Sequence, residues 1–148
     1  MVKKNLKQGG FTLVELLVVI AIIGLLSTLS IVALNNARLR SRDAARVASI
    51  KQWQTALELY YSDVGSYPAA ASTTPGTALV HNGTTYMAQV PHNQKPYNDD
   101  GCASNDFIYT LDSSTTYHIK YCLGSATGGV NAGNDCATPA GIMDGNGC

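Results

Sequence analysis

GFTLVELLVVIAIIGLLSTLSIVAL, residues 10–34, is apolar throughout except for Glu15 and a few hydroxyl side chains. About 20 consecutive apolar residues in a helix cross the hydrocarbon of a bilayer, so residues 11–34 are long enough for one span. The ten residues before it are short, polar and basic, with Lys3, Lys4 and Lys7, and they end in Gly9-Gly10. Lysines ahead of an apolar span predict a cytoplasmic N-terminus. A second basic cluster after the span, Arg38, Arg40, Arg42, Arg46 and Lys51, opposes that orientation. The leader lysines and the exported-type cysteines together outweigh it. A secretory signal peptide has a shorter apolar core, with its cleavage site behind the core. Here the candidate cleavage point precedes the apolar core, so the apolar segment is expected to stay on the mature chain.

The helical pattern continues beyond the span. No proline or glycine occurs from Asn35 to Ser62. Val47, Ile50, Leu57, Tyr61 and Val64 recur at intervals that mark one helix face, interrupted by Gln54 and widened by Trp53 and Tyr60. Arg40, Arg42, Asp43, Lys51 and Glu58 fall largely off that face. Gly65, Ser66 and Pro68 supply stop signals, which predicts one helix from about Phe11 to about Asp63. Its second half, residues 35–64, carries an apolar stripe that needs a globular cover.

Residues 65–148 supply that cover. The stretch 65–105 is rich in Gly, Ser, Thr, Asn and Pro and reads mostly as loop. Within it, Thr77–His81 and Thr84–Val90 form short strand candidates around the hairpin signal Asn82-Gly83. Asp106–Leu111 and Thr116–Leu123 are the strongest strand candidates, joined through Asp112-Ser113-Ser114. Tyr109, Tyr117, Ile119 and Tyr121 are expected to meet the helix stripe. Residues 124–148 almost lack large apolar groups, so order there is expected from a disulfide rather than from core burial. The expected fold is α+β, a long N-terminal helix packed on a small antiparallel sheet.

Formal charge is zero overall, and without the three leader lysines seven basic residues face ten acidic ones. No basic footprint points to nucleic acid. The Arg38–Lys51 cluster suits acidic lipid headgroups, phosphates, or acids on a neighbouring subunit. Four cysteines, Cys102, Cys122, Cys136 and Cys148, all lie in the last third, and none forms a C-x-x-C pair, which gives zinc or thioredoxin-like chemistry little support. Behind an export signal they predict two disulfides. Three connectivities are open, and Cys102–Cys122 with Cys136–Cys148 is favoured because the first would tie together segments flanking a strand. His81, His92 and His118 are scattered, and no nucleophile motif such as G-x-S-x-G is present. No catalytic residue is expected.

The segment Gly10-Phe11-Thr12-Leu13-Val14-Glu15-Leu16-Leu17 resembles the class III signal of type IV prepilins and type II secretion pseudopilins. The match comprises a basic leader, Gly before the cut, Phe after it, Glu four residues beyond Phe, and the apolar run. The likeness continues to Tyr67-Pro68 and, loosely, to Tyr86…Val90-Pro91, Phe107…Tyr109 and Tyr117…Tyr121. Many members carry a helix-bending proline where this chain has Val32; Gly24 and Ser27-Thr28 are the local weak points here. The resemblance implies that a membrane prepilin peptidase cuts between Gly10 and Phe11 and methylates the new amine of Phe11. It also implies that Glu15 pairs with the Phe11 amine of a neighbouring subunit. A carboxylate in lipid costs about 3 kcal/mol on insertion scales, so some partner is expected; a Glu reaching the headgroups is the plainer alternative. Major pseudopilins often carry a calcium loop near the C-terminus, and Asn131, Asn134, Asp135, Asp144 and Asn146 are oxygen donors of the right kind. No EF-hand spacing is present, solvated loop acids explain the pattern equally well, and no metal or cofactor is expected.

By this resemblance the chain would be a structural subunit, not an enzyme. It would sit as a single-pass protein in the cytoplasmic membrane, in contact with lipid and an inner-membrane assembly platform. It would then polymerise with identical or related pilin subunits into an extracellular pilus. Residues 1–10 would be the leader, 11–34 the membrane and filament-core helix, 35–64 its amphipathic continuation and 65–148 the head. Two alternatives stand beside this: a periplasmic pseudopilus driving protein export, and a membrane-tethered exported binding module.

Overall fold

The computed structural model describes residues 10–96, 102 and 106–145. One helix, α1, runs from Leu13 to Val64 without interruption at Gly24, Ser27-Thr28 or Val32. The chain divides into two compact units, the first ending at Ala37 and the second beginning at Arg38.

The first unit contributes helix residues 13–37. Every large apolar side chain from Leu13 to Leu34 is exposed. A helix apolar on all sides suits lipid or the interior of an assembly, not water. Its hydroxyl groups are neutralised locally: Ser27, Thr28 and Ser30 donate to the carbonyls of Ile23, Leu25 and Leu26 at 2.7–2.8 Å. A hydroxyl turned back on its own helix leaves no unsatisfied donor for a hydrocarbon environment.

In the second unit the rest of α1 packs on a sheet. Strands β3 (Ile108–Ser113), β4 (Thr116–Leu123), β5 (Gly133–Thr138) and β6 (Gly141–Met143) form an antiparallel sheet in that order. Tyr109 lies opposite Ile119, and Ile119 opposite Ala137. Because alternate strand residues face one side, Tyr117, Ile119, Tyr121 and Leu123 all point into the core. The helix answers with Val47, Ile50, Trp53, Leu57 and Tyr60 at spacings of three and four. Each large apolar side chain withdrawn from water contributes roughly 1.5–3 kcal/mol. Trp53 meets Tyr109 at 5.9 Å, Tyr109 stacks on Tyr117 at 5.6 Å, and Tyr67 meets Tyr117 edge-on at 4.6 Å. Tyr109 also donates its hydroxyl to the Pro68 carbonyl, which fastens the turn after the helix to the sheet.

A separate hairpin pairs β1 (Leu79–His81) with β2 (Thr84–Met87). Asn82 and Gly83 both take positive φ, 47° and 82°, the requirement of the tight turn that suits the twist of two strands. β2 stops at Met87 instead of reaching Val90. The Val90 amide and carbonyl instead bond Thr77 and Gly76 across the loop. Tyr60 reaches the hairpin, with its ring 5.1 Å from Tyr86 and its hydroxyl 3.1 Å from Nδ1 of His81.

Two expectations are corrected. The tail is not held by a disulfide alone: β5 and β6 lie within it and extend the sheet. Main-chain pairing with the open edge of β4 does not require bulky side chains, and the small Cys136 and Ala137 are buried there. Asp43, expected off the packed face, is fully buried, as is Arg46 of the basic cluster.

Cys102 and Cys122 form a disulfide across 20 residues. Closing a loop of that length in the unfolded chain is worth about 3 kcal/mol. Replacing both cysteines by serine should therefore lower unfolding free energy by about that amount, measured by denaturant titration of the full chain in detergent. Cys136 is also disulfide-bonded; Cys148, its expected partner, lies outside the described residues.

Candidate functional site

The N-terminal end of α1 is built by its first residues. Thr12 stands just before the helix and Glu15 lies three residues on, the S/T-x-x-E arrangement of a capping box. The Thr12 side chain accepts the Glu15 amide at 3.2 Å, while Oε2 of Glu15 accepts the Thr12 amide and hydroxyl, each at 2.8 Å. These bonds occupy donors that a helix start otherwise leaves unpaired, and the carboxylate sits at the positive end of the helix dipole. The capping pattern is legible in Thr12-Leu13-Val14-Glu15, and it gives Glu15 a partner within its own chain besides the neighbouring amine or the headgroups expected from the sequence. Oε1 of Glu15 accepts no hydrogen bond among the described residues. One carboxylate oxygen thus holds the helix start, and the other takes no part in it.

Phe11 is 91 % exposed. A side chain added at Gly10 would meet nothing within 4 Å. The fold itself therefore makes no demand for glycine there. Replacing Thr12 with Val removes the hydroxyl from the box at nearly constant shape. Loss of a helix cap costs about 1 kcal/mol, so exchange of the Glu15 amide, which the Thr12 hydroxyl accepts, should accelerate about fivefold by hydrogen–deuterium exchange in micelles.

The second polar centre lies in the second unit. Nη1 of Arg46 meets Asp43 at 2.7 Å, with both side chains fully buried. The rest of the guanidinium donates to Oδ1 of Asn93 and to the carbonyls of Gln94 and Pro96 at 2.7–2.8 Å. Asp43 accepts the amides of Gly124 and Ser125 and the Ser125 hydroxyl. A buried ion pair is tolerable only when its remaining lone pairs and protons are satisfied, and two loops close over this one to do so. It is a clamp that fixes residues 93–96 and 124–125 to the helix.

The histidines take local partners. His92 is 2.7 Å from Asp106, whose other oxygen accepts the amides of Asn93 and Phe107. His118 is 2.8 Å from Asp112. His92 also overlies Gly76, where φ is +86° and a Cβ would come within 2.7 Å of the imidazole. Tyr67 donates to Glu58 at 2.8 Å and stacks on Tyr61 at 4.7 Å, which joins the end of the helix to the turn behind it.

Among the tail acids, Asp144 accepts the amide and side-chain nitrogen of Asn131, and Asp135 accepts the amide of Gly145. Asn134 lies exposed on β5, and Asn146 lies outside the described residues. No group of three or more His, Cys, Asp or Glu that could hold a metal occurs among the described residues. Burial raises the Asp135 pKa above the usual carboxylate value, partly offset by the Gly145 amide and reinforced by nearby Asp144. An acid whose folded pKa is raised favours folding when protonated. That contribution is full below the unfolded pKa near 4 and is lost as pH climbs through the folded value. Asp135→Asn keeps an acceptor for Gly145 and removes the charge. It should raise the melting temperature near neutral pH and flatten its slope above pH ~4 in a pH series of thermal melts.

Against known proteins, the family model for the prokaryotic N-terminal methylation motif matches residues 5–31. The chain is 33 % identical over 94 residues to type II secretion system core protein G of Escherichia coli, covering 57 % of this chain and 65 % of that protein. It is 26 % identical over 125 residues to toxin coregulated pilin of Vibrio cholerae, covering 84 % of this chain and 55 % of that one. It is 38 % identical over 76 residues to fimbrial protein EcpC of Eikenella corrodens, covering 51 % and 49 %. The chain thus spans between about half and just under two thirds of the length of these relatives. No solved structure matches it significantly.

Proposed function

We propose that the chain is a member of the type IV pilin and pseudopilin family and a structural subunit of a type IV pilus-like filament. The methylation-motif match and the similarity to a pilin, a fimbrial protein and a secretion-system protein support this reading. Residues 1–10 are the leader, and a prepilin peptidase removes them between Gly10 and Phe11 and methylates Phe11. Residues 11–34 hold the subunit in the cytoplasmic membrane with its N-terminus inside. There it meets an inner-membrane assembly platform and is drawn into a polymer of identical or related subunits. The observation that carries this reading is a carboxylate at Glu15, beside the exposed Phe11 and ahead of an exposed apolar helix.

Cleavage creates the cation that the carboxylate lacks. In apolar surroundings a free amine and a free carboxylate are each costly, and pairing removes both costs together. Oε1 of Glu15 can take the Phe11 amine of the next subunit while Oε2 keeps the helix capped. The apolar helices then exchange lipid neighbours for one another in a bundle. Head-to-tail contacts that do not close on themselves propagate as an open helical polymer.

Mass spectrometry of the mature N-terminus tests the processing step: the expected first residue is Phe11 carrying an added methyl group. A mature chain that retains Met1 through Gly10, or that lacks the apolar helix, overturns the reading. The similarity to type II secretion system core protein G favours a second reading, a short periplasmic pseudopilus serving protein export. Electron microscopy of sheared surface filaments separates the two: a pilus subunit is found in them, and a pseudopilus subunit stays with the cell envelope.

A further inference from the structure

We propose that Arg38 and Arg40 form a basic collar that binds the anionic headgroups of the membrane leaflet distal to the chain's N-terminus. The inference rests on the membrane reading of residues 11–34 given above. Helical residues 13–37 rise about 37 Å at 1.5 Å per residue. A bilayer measures about 30 Å across its hydrocarbon and about 40–45 Å with headgroups. In a helix that continues unbroken to Val64, the residues immediately after Ala37 therefore arrive at headgroup depth.

The charges at that depth have no internal use. Arg38 and Arg40 are exposed and take no hydrogen bond or ion pair among the described residues. Their neighbours Arg42 and Arg46 are engaged within the protein. No Asp or Glu occurs from Leu16 to Arg42, and the next acid, Asp43, is consumed by Arg46 and the 124–125 amides. Among the described residues no acidic side chain pairs with Arg38 or Arg40, and a layer of anionic groups outside the chain can supply the counter-charge.

The placement of the two arginines selects the partner. Residues two apart on a helix point about 200° from one another, so Arg38 and Arg40 leave opposite flanks. An acidic protein docked on one flank meets one of them. A headgroup layer encircles the helix and meets both. Guanidinium is also the group that binds phosphate in a fork of paired hydrogen bonds. The collar holds the helix at a fixed depth, which in turn sets the level at which Glu15 waits at the other end.

The test reconstitutes the full chain in vesicles of phosphatidylglycerol and phosphatidylcholine. The lipid retained by the protein is then weighed by native mass spectrometry, and insertion is scored separately by resistance to alkaline extraction. The leader lysines are common to all variants, so wild type is compared with Arg38→Gln/Arg40→Gln. Wild type should favour phosphatidylglycerol about tenfold more than the double variant. The preference should weaken with added salt, and Arg38→Lys/Arg40→Lys should recover most of it. Inserted protein whose lipid preference is unchanged by the double glutamine substitution overturns the collar alone. So does an effect of the substitutions confined to subunit–subunit crosslinks in assembled filaments. A wild-type chain that does not insert overturns the membrane reading as well.

Discussion

Glu15→Ala is expected to leave the chain in the membrane and to remove it from filaments, cutting the assembled fraction by about two orders of magnitude. Removing the charge makes insertion easier, since a carboxylate within a span opposes it by about 3 kcal/mol. Assembly moves the other way, because the neighbour's Phe11 amine would be left unpaired in apolar surroundings. Breaking one half of a desolvated ion pair typically costs 3–5 kcal/mol, and each 1.4 kcal/mol is a factor of ten. Glutamine at the same position separates the two jobs of this side chain. It accepts the Thr12 amide as a capping-box residue does, but it carries no charge. Glu15→Gln should thus keep the slow amide exchange of residues 12 and 15 and still fail to assemble. Immunoblots of sheared filaments against membrane fractions supply the measurement. Normal filaments from the glutamine variant would show that capping is the whole role of Glu15.

Arg46→Ala should destabilise the second unit by about 3–5 kcal/mol, since it strands Asp43 in the interior and releases Asn93, Gln94 and Pro96 together. Domains of this size are stable by only about 5–15 kcal/mol, and each kcal/mol moves the melting point by several degrees, so a fall of about 15 °C is expected. Thermal unfolding of the full chain in micelles, followed through the buried Trp53, reads it directly. Replacing both charges with apolar groups of similar size, Asp43→Leu with Arg46→Met, should recover much of the loss, because no buried charge is then left alone. The recovery will be incomplete, since the amides of Gly124 and Ser125 lose their acceptor. A drop of less than 1 kcal/mol in the single variant would mean that the clamp is dispensable.

Much of the architecture was legible from the residues. The length and polarity of 11–34, the absence of breakers up to Ser62 and the three-and-four spacing from Val47 to Val64 are local properties. The structure has one helix across them. Asn82-Gly83 supplies the only local chemistry its hairpin needs, two residues tolerant of positive φ. The aromatic strands are equally plain, and Tyr109, Tyr117, Ile119 and Tyr121 face Ile50, Trp53 and Leu57 in one core. β5 and β6 were not legible, because Gly133–Thr138 shows neither alternation nor β-branched density. Its order comes from backbone groups paired to β4, with Lys120 opposite Cys136 and Tyr121 opposite Asp135.

At the candidate site, Glu15 stood out because a carboxylate in an apolar run is conspicuous on energetic grounds alone, whereas Gly10 and Phe11 stood out through the resemblance to the class III signal. Thr12 did not, although its spacing from Glu15 held the clue. The charged clamp was misread for a different reason. A charge on a helix is ordinarily a solvated one, and nothing near Asp43 in the chain says otherwise. Its acceptor bonds come from Gly124 and Ser125, more than 80 residues away.

From the sequence by itself came the apolar rod, the place of its lone carboxylate, the candidate cut in front of it and the face that a head must cover. The rod, its carboxylate and the face to be covered follow from transfer energies and helical periodicity, which act along a short length of chain; the cut is what the resemblance of residues 10–17 to a class III signal implies. Only the tertiary structure decided which charges lie inside, that the tail adds two strands, and which loops close over the Asp43–Arg46 pair. Those outcomes depend on partners that arrive from distant parts of the chain, and a buried charge or an unpaired strand edge is acceptable only once they have arrived.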